Sequence, residues 1–462
     1  MKGPLLSFYG DDFTGSTDAL EVLTWAGLNA VLFVDPPDAH TLQMHGDLDA
    51  FGVAGTSRTM SPDEMEGELR DALQSISRLR TPITHYKTCS TFDSSPLTGS
   101  IGRVMDIARD YYPGTPMPII VGAPPLGRYM LFGNLFARAG LDGPVFRLDR
   151  HPTMATHPVT PMDEADLVLH LRKQTTQKIG LLDYLQLCEP REAVIKRIAE
   201  LARQGYDAAF WDVADTRHLE GIGLLMTALS KDGPPLFVVG SSGIEYAIVA
   251  ALGRQGGIGK DVEEAATVSE ARPTSPVICV SGSCSPITAE QILYAEGAGF
   301  CVLHASPAAL IDPATAGTEI DRLVDIAHAN FRHGTSVIVE TADGPTDPRI
   351  EAVRRKASEL GIANATRAMA TATADLTHGL VEACRPERLV VAGGDTSSLA
   401  ARKIGIQALR AIAPIAPGGP LCRAYAPGRT MDGAEVVFKG GQVGRKDFFV
   451  SARAVHSKSV PA

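Results

Sequence analysis

Leu389-Val-Val-Ala-Gly-Gly-Asp-Thr-Ser-Ser398, continued by Leu-Ala-Ala-Arg-Lys-Ile-Gly405, reads as strand, glycine turn and helix in succession. The apolar run ends on two glycines, where a ligand can approach a backbone that carries no Cβ. Asp395, Thr396 and Ser397 are candidate N-caps for the helix that follows, and Gly405 is its stop. A helix that starts this way points N–H groups and the positive end of its dipole outward, an arrangement that favours a phosphate. The same residues would equally make a plain strand-to-helix turn.

The pattern recurs on either side. Val277-Ile-Cys-Val280 runs into Ser281-Gly-Ser-Cys-Ser-Pro286 and a helix from about Thr288. Lys439-Gly-Gly-Gln-Val-Gly444 follows a strand at Val436–Phe438, with a lysine able to meet phosphate oxygens. Other strands are expected at Phe300–Leu303, Ser336–Glu340 and Arg388–Ala392. In the first half they are expected at Leu5–Tyr9, Ala30–Val34, Ala50–Val53, Ile119–Val121, Ala208–Trp211 and Leu236–Val239. Between the first two, Ala19, Val22, Leu23 and Ala26 follow the spacing of a buried helical face. Strands alternating with helices predict two α/β domains with mainly parallel sheets and a ligand cleft between them.

The rhythm breaks between Gly253 and Pro276. The expected division is therefore residues 1–252, a linker 253–275 and a second domain 276–462. Gly259-Lys260 in that linker imitates the end of a P-loop. Arg254 stands where the first glycine belongs, however, and Asp261 where the magnesium-binding hydroxyl belongs, so the chain has no P-loop.

Composition excludes several classes. The 462 residues are 44% hydrophobic and 21% charged, a globular profile, with no apolar run long enough for a transmembrane helix. A net charge of −10 argues against a nucleic-acid surface, though local amides can still bind a small anion. Seven scattered cysteines without a C-x-x-C pair, and no signal peptide at the start, fit a reduced, cytoplasmic protein.

The first half carries its own chemistry. Gly10-Asp-Asp-Phe-Thr-Gly15 sets adjacent carboxylates at the end of the first strand. Asp11 and Asp12 can accept a proton from a hydroxyl or hold a polyol, and each raises the other's cost of ionisation. Helix capping by Asp12 or Thr14 is the structural alternative. Lys87-Thr-Cys-Ser-Thr-Phe-Asp-Ser-Ser95 gathers a cation, hydroxyls including those of Ser90 and Thr91, and a carboxylate. It suits a sugar acid, unless it is simply a solvated loop. Arg58 is a second candidate grip for a substrate carboxylate. His151 and His157 lie beside helix-breaking prolines, so loop roles are expected rather than a metal site. Gly240-Ser-Ser-Gly243 reads as another strand-to-helix turn, as apt for a domain junction as for binding.

Taken in order, Gly10–Gly15, Ser281–Ser285, Gly393–Thr396 and Lys439–Gly444, the last preceding Asp447-Phe-Phe449, resemble the four-carbon acid sugar kinases over nearly the whole chain. That resemblance implies an N-terminal sugar-acid domain and a C-terminal nucleotide domain. The activity it implies is ATP-dependent phosphorylation of threonate, erythronate or their oxo forms, with Mg²⁺. It places Ser283, Gly393, Gly394, Asp395, Thr396 and Gly441 at ATP, and Ser281, at the start of the same hydroxyl-rich loop, is expected to join them. It sets Asp11, Arg58, Lys87, Ser90 and Thr91 toward the acid; independently of it, Asp11 or Asp12 is expected to take the hydroxyl proton. Many members carry Lys-x-Asp-Ser-Thr-Leu-Arg-Gly where this chain has Lys87-Thr-Cys-Ser-Thr-Phe-Asp-Ser94, so the usual arginine is missing and the substrate is expected to depart from plain threonate. Gly393-Gly-Asp-Thr396 replaces a commoner Gly-Gly-Glu-Thr. The Cys89–Pro96 stretch looks like the branch that includes 3-oxo-isoapionate kinase.

The expected partners are the sugar acid and ATP, without nucleic acid or membrane, and with a homodimer left open. A nicotinamide-dependent oxidoreductase is the rival enzyme, although no Gly-x-Gly-x-x-Gly follows a strand. A two-domain sugar-acid binding protein is the non-enzymatic rival.

Overall fold

The computed structural model describes residues 3–140, 143–157, 159–231, 233–254 and 276–455. Beyond Arg254, the expected linker and its P-loop-like stretch lie outside the described residues. The chain separates into two compact units. One holds the described residues up to Arg254 except Val31–Val34; the other holds Val31–Val34 and the described residues from Pro276 onward.

The first unit is built on a seven-stranded parallel sheet. Its strands are β1 (Leu6–Gly10), β3 (Ala50–Ala54), β4 (Ile83–Lys87), β5 (Met117–Ile120), β9 (Ile179–Leu182), β10 (Ala208–Trp211) and β11 (Leu236–Gly240). They lie in the order β3-β1-β4-β11-β5-β10-β9. Every residue of β1, β3, β4, β5, β10 and β11 is buried, as strands covered by helices on both faces must be. A small antiparallel sheet of β6 (Arg128–Leu131), β7 (Asn134–Arg138) and β8 (Val145–Arg147) accompanies it. The chain runs from β1 to β3 on one side and to β4 on the other, so β1 marks a change of direction. Ligands of open α/β sheets lie at the carboxyl ends beside such a point.

The second unit contains β2 (Ala30–Phe33), β12 (Ile278–Ser281), β13 (Cys301–His304), β14 (Val337–Glu340), β15 (Arg388–Ala392), β16 (Ala408–Ala416), β17 (Gly419–Tyr425) and β18 (Glu435–Lys439). The order β13-β14-β12-β15-β18 is parallel, while β17, β16 and β2 continue it antiparallel. Its core packs Val277, Cys279, Ile338, Val390 and Val437 against Phe448 and Phe449. The direction of winding reverses between β12 and β15. Two of the three glycine-bearing turns read from the sequence leave from those two strands.

Candidate active site

In the first unit, Ala54, Gly10, Lys87 and Gly240 end adjacent strands in register. The turn beyond β1 is pinned by its own backbone: Asp11 N–H donates to the Lys87 carbonyl and Arg58 N–H to the Asp11 carbonyl, both at 2.9 Å. Asp12 caps the helix Phe13–Trp25, its Oδ1 accepting from Gly15 N–H at 2.7 Å. Capping, the structural alternative for Asp12, is what it does.

The side chains above this turn form one network. Arg58 grips Asp11 with two bonds, Nη2 to Oδ1 at 2.6 Å and Nε to Oδ2 at 3.1 Å, and reaches Asp12 Oδ2 with Nη1 at 2.6 Å. Thr14 donates to the same Asp12 oxygen at 2.8 Å. Lys87, buried, donates to the Thr88 carbonyl at 3.1 Å and lies 3.5 Å from Asp18 Oδ2. Three carboxylates thus face two cations. The guanidinium expected to hold a substrate carboxylate is committed to the protein's own acids, so a substrate would have to share or displace those bonds. A Cβ at Gly15 would stand 2.5 Å from Asp12 Oδ1 and 3.3 Å from Lys87 Nζ, so only glycine lets the helix settle onto the network.

Burial pushes the Asp11 carboxyl above its ordinary value; Arg58 opposes the shift and Asp12 adds to it. Burial alone would depress the Lys87 ammonium, yet Asp18, Asp11, Asp12 and Glu245 outweigh it and raise it. Beneath the network, His85 and Glu245, both fully enclosed, meet at 2.6 Å, and the other ring nitrogen of His85 meets the Gly240 carbonyl at 3.1 Å.

The Lys87–Ser95 stretch is not a solvated loop. Thr88, Phe92 and Ser94 are fully buried, and Phe92 holds a left-handed φ of 58°, a costly conformation for a large side chain. Its ring sits edge-on to His170 and Phe210. Thr91 donates to Asp93 at 2.7 Å and touches Cys89 Sγ at 3.0 Å. Burial raises the Cys89 thiol to about 11, which disfavours its thiolate form. The half-buried Ser90 hydroxyl makes no hydrogen bond among the described residues. His151 and His157 use Nδ1 to accept neighbouring amides, as loop histidines.

In the second unit, three turns converge. A Cβ at Gly282 would lie 2.2 Å from Thr396 Oγ1, and one at Gly441 would lie 2.5 Å from Ser283 Oγ. Gly393 has φ 124°, open in practice to glycine alone. At Gly394 a Cβ would meet nothing within 4 Å, so space opens above the turn. The helix after β15 begins at Gly394 with Gly393 as its cap and no side-chain cap bond, which corrects the expected capping by Asp395, Thr396 or Ser397. The helix Pro286–Gly297 likewise starts without one. Ser281 Oγ accepts from Ser283 N–H at 3.4 Å, Ser283 Oγ accepts from Ser285 N–H at 3.2 Å, and the buried Ser285 hydroxyl has no partner among the described residues. Asp395 is exposed and Thr396 buried.

Two residues missed in the sequence hold the third turn. Gln291 donates to the carbonyls of Val443, Gly444 and Arg445 at 2.9–3.1 Å, and Thr288 donates to that of Gly441 at 2.6 Å. Their only signal was position, within two turns of the Ser281–Ser285 loop. Asp18 was missed in the same way, one helical turn beyond Thr14.

Two family models match: a sugar-binding N-terminal domain over residues 6–248 and a nucleotide-binding C-terminal domain over residues 278–449. The chain therefore belongs to the four-carbon acid sugar kinase family. A 3-oxo-isoapionate kinase of Paraburkholderia graminis is 42% identical, over 98% of this chain and 94% of its own. A 3-oxo-tetronate kinase of Methylobacterium radiotolerans is 32% identical, over 96% and 97%. Among solved structures, a Haemophilus influenzae protein carrying the DUF1537 family model is 26% identical with a TM-score of 0.70, over 97% and 99%. A Salmonella typhimurium LT2 protein described as a tRNA synthase, 23% identical with a TM-score of 0.75 over 97% and 98%, shares the fold alone.

Proposed function

We propose that this sugar-acid kinase transfers the γ-phosphoryl group of ATP to a hydroxyl of a 3-oxo sugar acid of the 3-oxo-isoapionate type. The convergence of Ser281–Ser285, Gly393–Thr396 and Lys439–Gly444 at the winding reversal of the second unit carries the ATP half of the reading. Identity to the Paraburkholderia kinase and the Cys89–Pro96 stretch support the acid half. Ser281, Ser283, Gly393, Gly394, Thr396 and Gly441 would receive the phosphates, and the division at 1–252 and 276–462 is kept as sugar-acid half and nucleotide half.

Phosphoryl transfer needs alignment and charge neutralisation more than covalent chemistry. Among the described residues no group of three or more His, Cys, Asp or Glu could cage a metal. Mg²⁺ fits as an ion carried largely by phosphates and water, and the exposed Asp395 is the carboxylate that the turns themselves supply. Bound there, it would neutralise charge on the transferring group.

In the first unit Asp11 is the favoured base, since burial raises its affinity for a proton. Asp12 serves it by holding the turn. Lys87 would draw the acid's carboxylate, Ser90 and Thr91 its hydroxyls, and Arg58 would release bonds to Asp11 and Asp12 as it engages substrate. No described helix is long and apolar enough to cross a membrane, and all seven cysteines are free; a cytoplasmic setting and a homodimer complete the proposal. An ADP-release screen over four- and five-carbon acids and their oxo derivatives, with the new ester located, tests it. ADP release with 3-oxo acids is expected, and silence across the whole panel would refute it.

A further inference from the structure

Lys439 differs from the other buried cation of the second unit's sheet. Arg388 has Glu435 against it at 2.6 Å. Among the described residues no carboxylate reaches the amine of Lys439, although its side chain is fully enclosed. The amine donates to Thr288 Oγ1 at 3.1 Å, and the Thr288 hydroxyl in turn donates a hydrogen bond to the Gly441 carbonyl at 2.6 Å. The rings of Phe448 and Phe449 lie 5.4 and 5.9 Å away.

The charged groups on the surrounding elements are engaged or exposed elsewhere. Glu290 and Glu296 are exposed on the helix Pro286–Gly297, and Asp395 is exposed on the first turn after β15. Asp447 accepts from Ser451, and Arg453 lies over Phe300. Arg423 of β17 pairs with Glu435 at the far end of β18. An enclosed amine without a counter-ion, one hydroxyl away from a glycine turn, is half of an electrostatic pair.

We propose that binding of a nucleotide polyphosphate to the three turns is coupled to uptake of one proton by Lys439, which acts through Thr288 as a positioning residue for the Gly441 turn. The inference rests on the kinase reading and deepens it. Burial brings the free-state ammonium down to about 7, so above neutrality the amine is mostly uncharged. Several negative charges at the turns favour the ammonium, and the proton comes from solvent. The charged amine donates more strongly to Thr288, whose hydroxyl can then only donate onward, to Gly441.

Titration calorimetry of the full chain with the magnesium complex of a non-hydrolysable ATP analogue, near pH 8 in phosphate, HEPES and Tris, tests this directly. The observed heat should vary with the buffer's ionisation enthalpy with a slope approaching about one proton taken up per site. Lys439→Met should bring the slope near zero. Thr288→Val should keep the uptake and raise KM for ATP about tenfold. Equal heats in all three buffers, or a Lys439→Met slope equal to that of the unaltered protein, overturns the inference while leaving the kinase reading intact. Should Lys439→Met not fold, Lys439→Gln takes its place, and the slope of the unaltered protein remains decisive. A protein that gives no heat with nucleotide in any buffer overturns the kinase reading, and the coupling with it.

Discussion

At Asp11 the sequence and the structure give different kinds of information. Adjacency to Asp12 at a strand end was visible in the motif, and with it a candidate for proton transfer. That Arg58 would occupy both oxygens was not visible, because a contact 47 residues away depends on how β3 lies beside β1. Asp11→Asn should lower kcat by about 10²–10⁴ if Asp11 is the base. In the unaltered enzyme, kcat/KM should climb with pH through an apparent pKa above the usual carboxylate value, since the base must be ionised and burial resists that. Asp11→Asn should abolish that limb, as a pH–rate profile will report.

Lys439 makes a second prediction at this scale, independent of any ligand. Its folded value, about 7, lies below the ordinary 10.5, so between those values the unfolded chain binds the extra proton. Stability should therefore rise with pH across that window, by at most about 1.4 kcal/mol per unit, and most of the contribution is absent below it. In parallel thermal melts, the unaltered protein should gain stability relative to Lys439→Met as pH rises from neutral toward 10, the change in their difference isolating the lysine.

Among the elements, the strands that were easiest to read are those buried on both faces. Leu389–Ala392 and Val277–Val280 are nearly unbroken apolar runs, and helices cover them. Ile83-Thr-His-Tyr-Lys87 was passed over because its threonine, histidine and lysine look like a surface, whereas each finds a buried partner: Ser7, Glu245 and the Thr88 carbonyl. The hairpin β16–β17 escaped notice because Ala408–Ala416 is mostly small residues and its register shifts twice. Three such turns in one domain pointed to a common phosphate-binding crevice, but which strands bring them together could not be read, since strand order decides it. Gln291 supplies the test here. Gln291→Leu removes three bonds that hold the turn after β18, leaving its carbonyls to find water, and should weaken ATP binding about tenfold or more with sugar-acid binding untouched. Separate titrations of the two ligands will show whether the loss is confined to nucleotide.

For the molecule as a whole, two independent ligands should each raise the melting temperature. Mg-nucleotide at about 100 times its Kd adds about 2.7 kcal/mol. Asp11→Asn should blunt the response to the acid alone, and Gly282→Val the response to nucleotide alone, since its side chain would strike Thr396. Thermal-shift assays of both variants with each ligand separate the two halves of the proposed chemistry. A two-domain α/β organisation was legible in the alternation of strands and helices, but nothing in Ala30–Val34 marks it as belonging anywhere but among its sequence neighbours.

That strand has a consequence for synthesis. Phe33 and Leu32 pair with Ala408 and Leu409, Val34 N–H donates to the Gln407 carbonyl at 2.9 Å, and Arg402 reaches the Val34 carbonyl at the same distance. A ribosome releases these few residues early and must make almost all of the remaining chain before their partner emerges. A gene fragment encoding 276–462 alone would keep β17 on one side of β16 but leave its Ala408–Leu409 edge uncovered, a ready seed for intermolecular pairing. Splicing Ala30–Val34 back onto that fragment should turn an insoluble product into a soluble one.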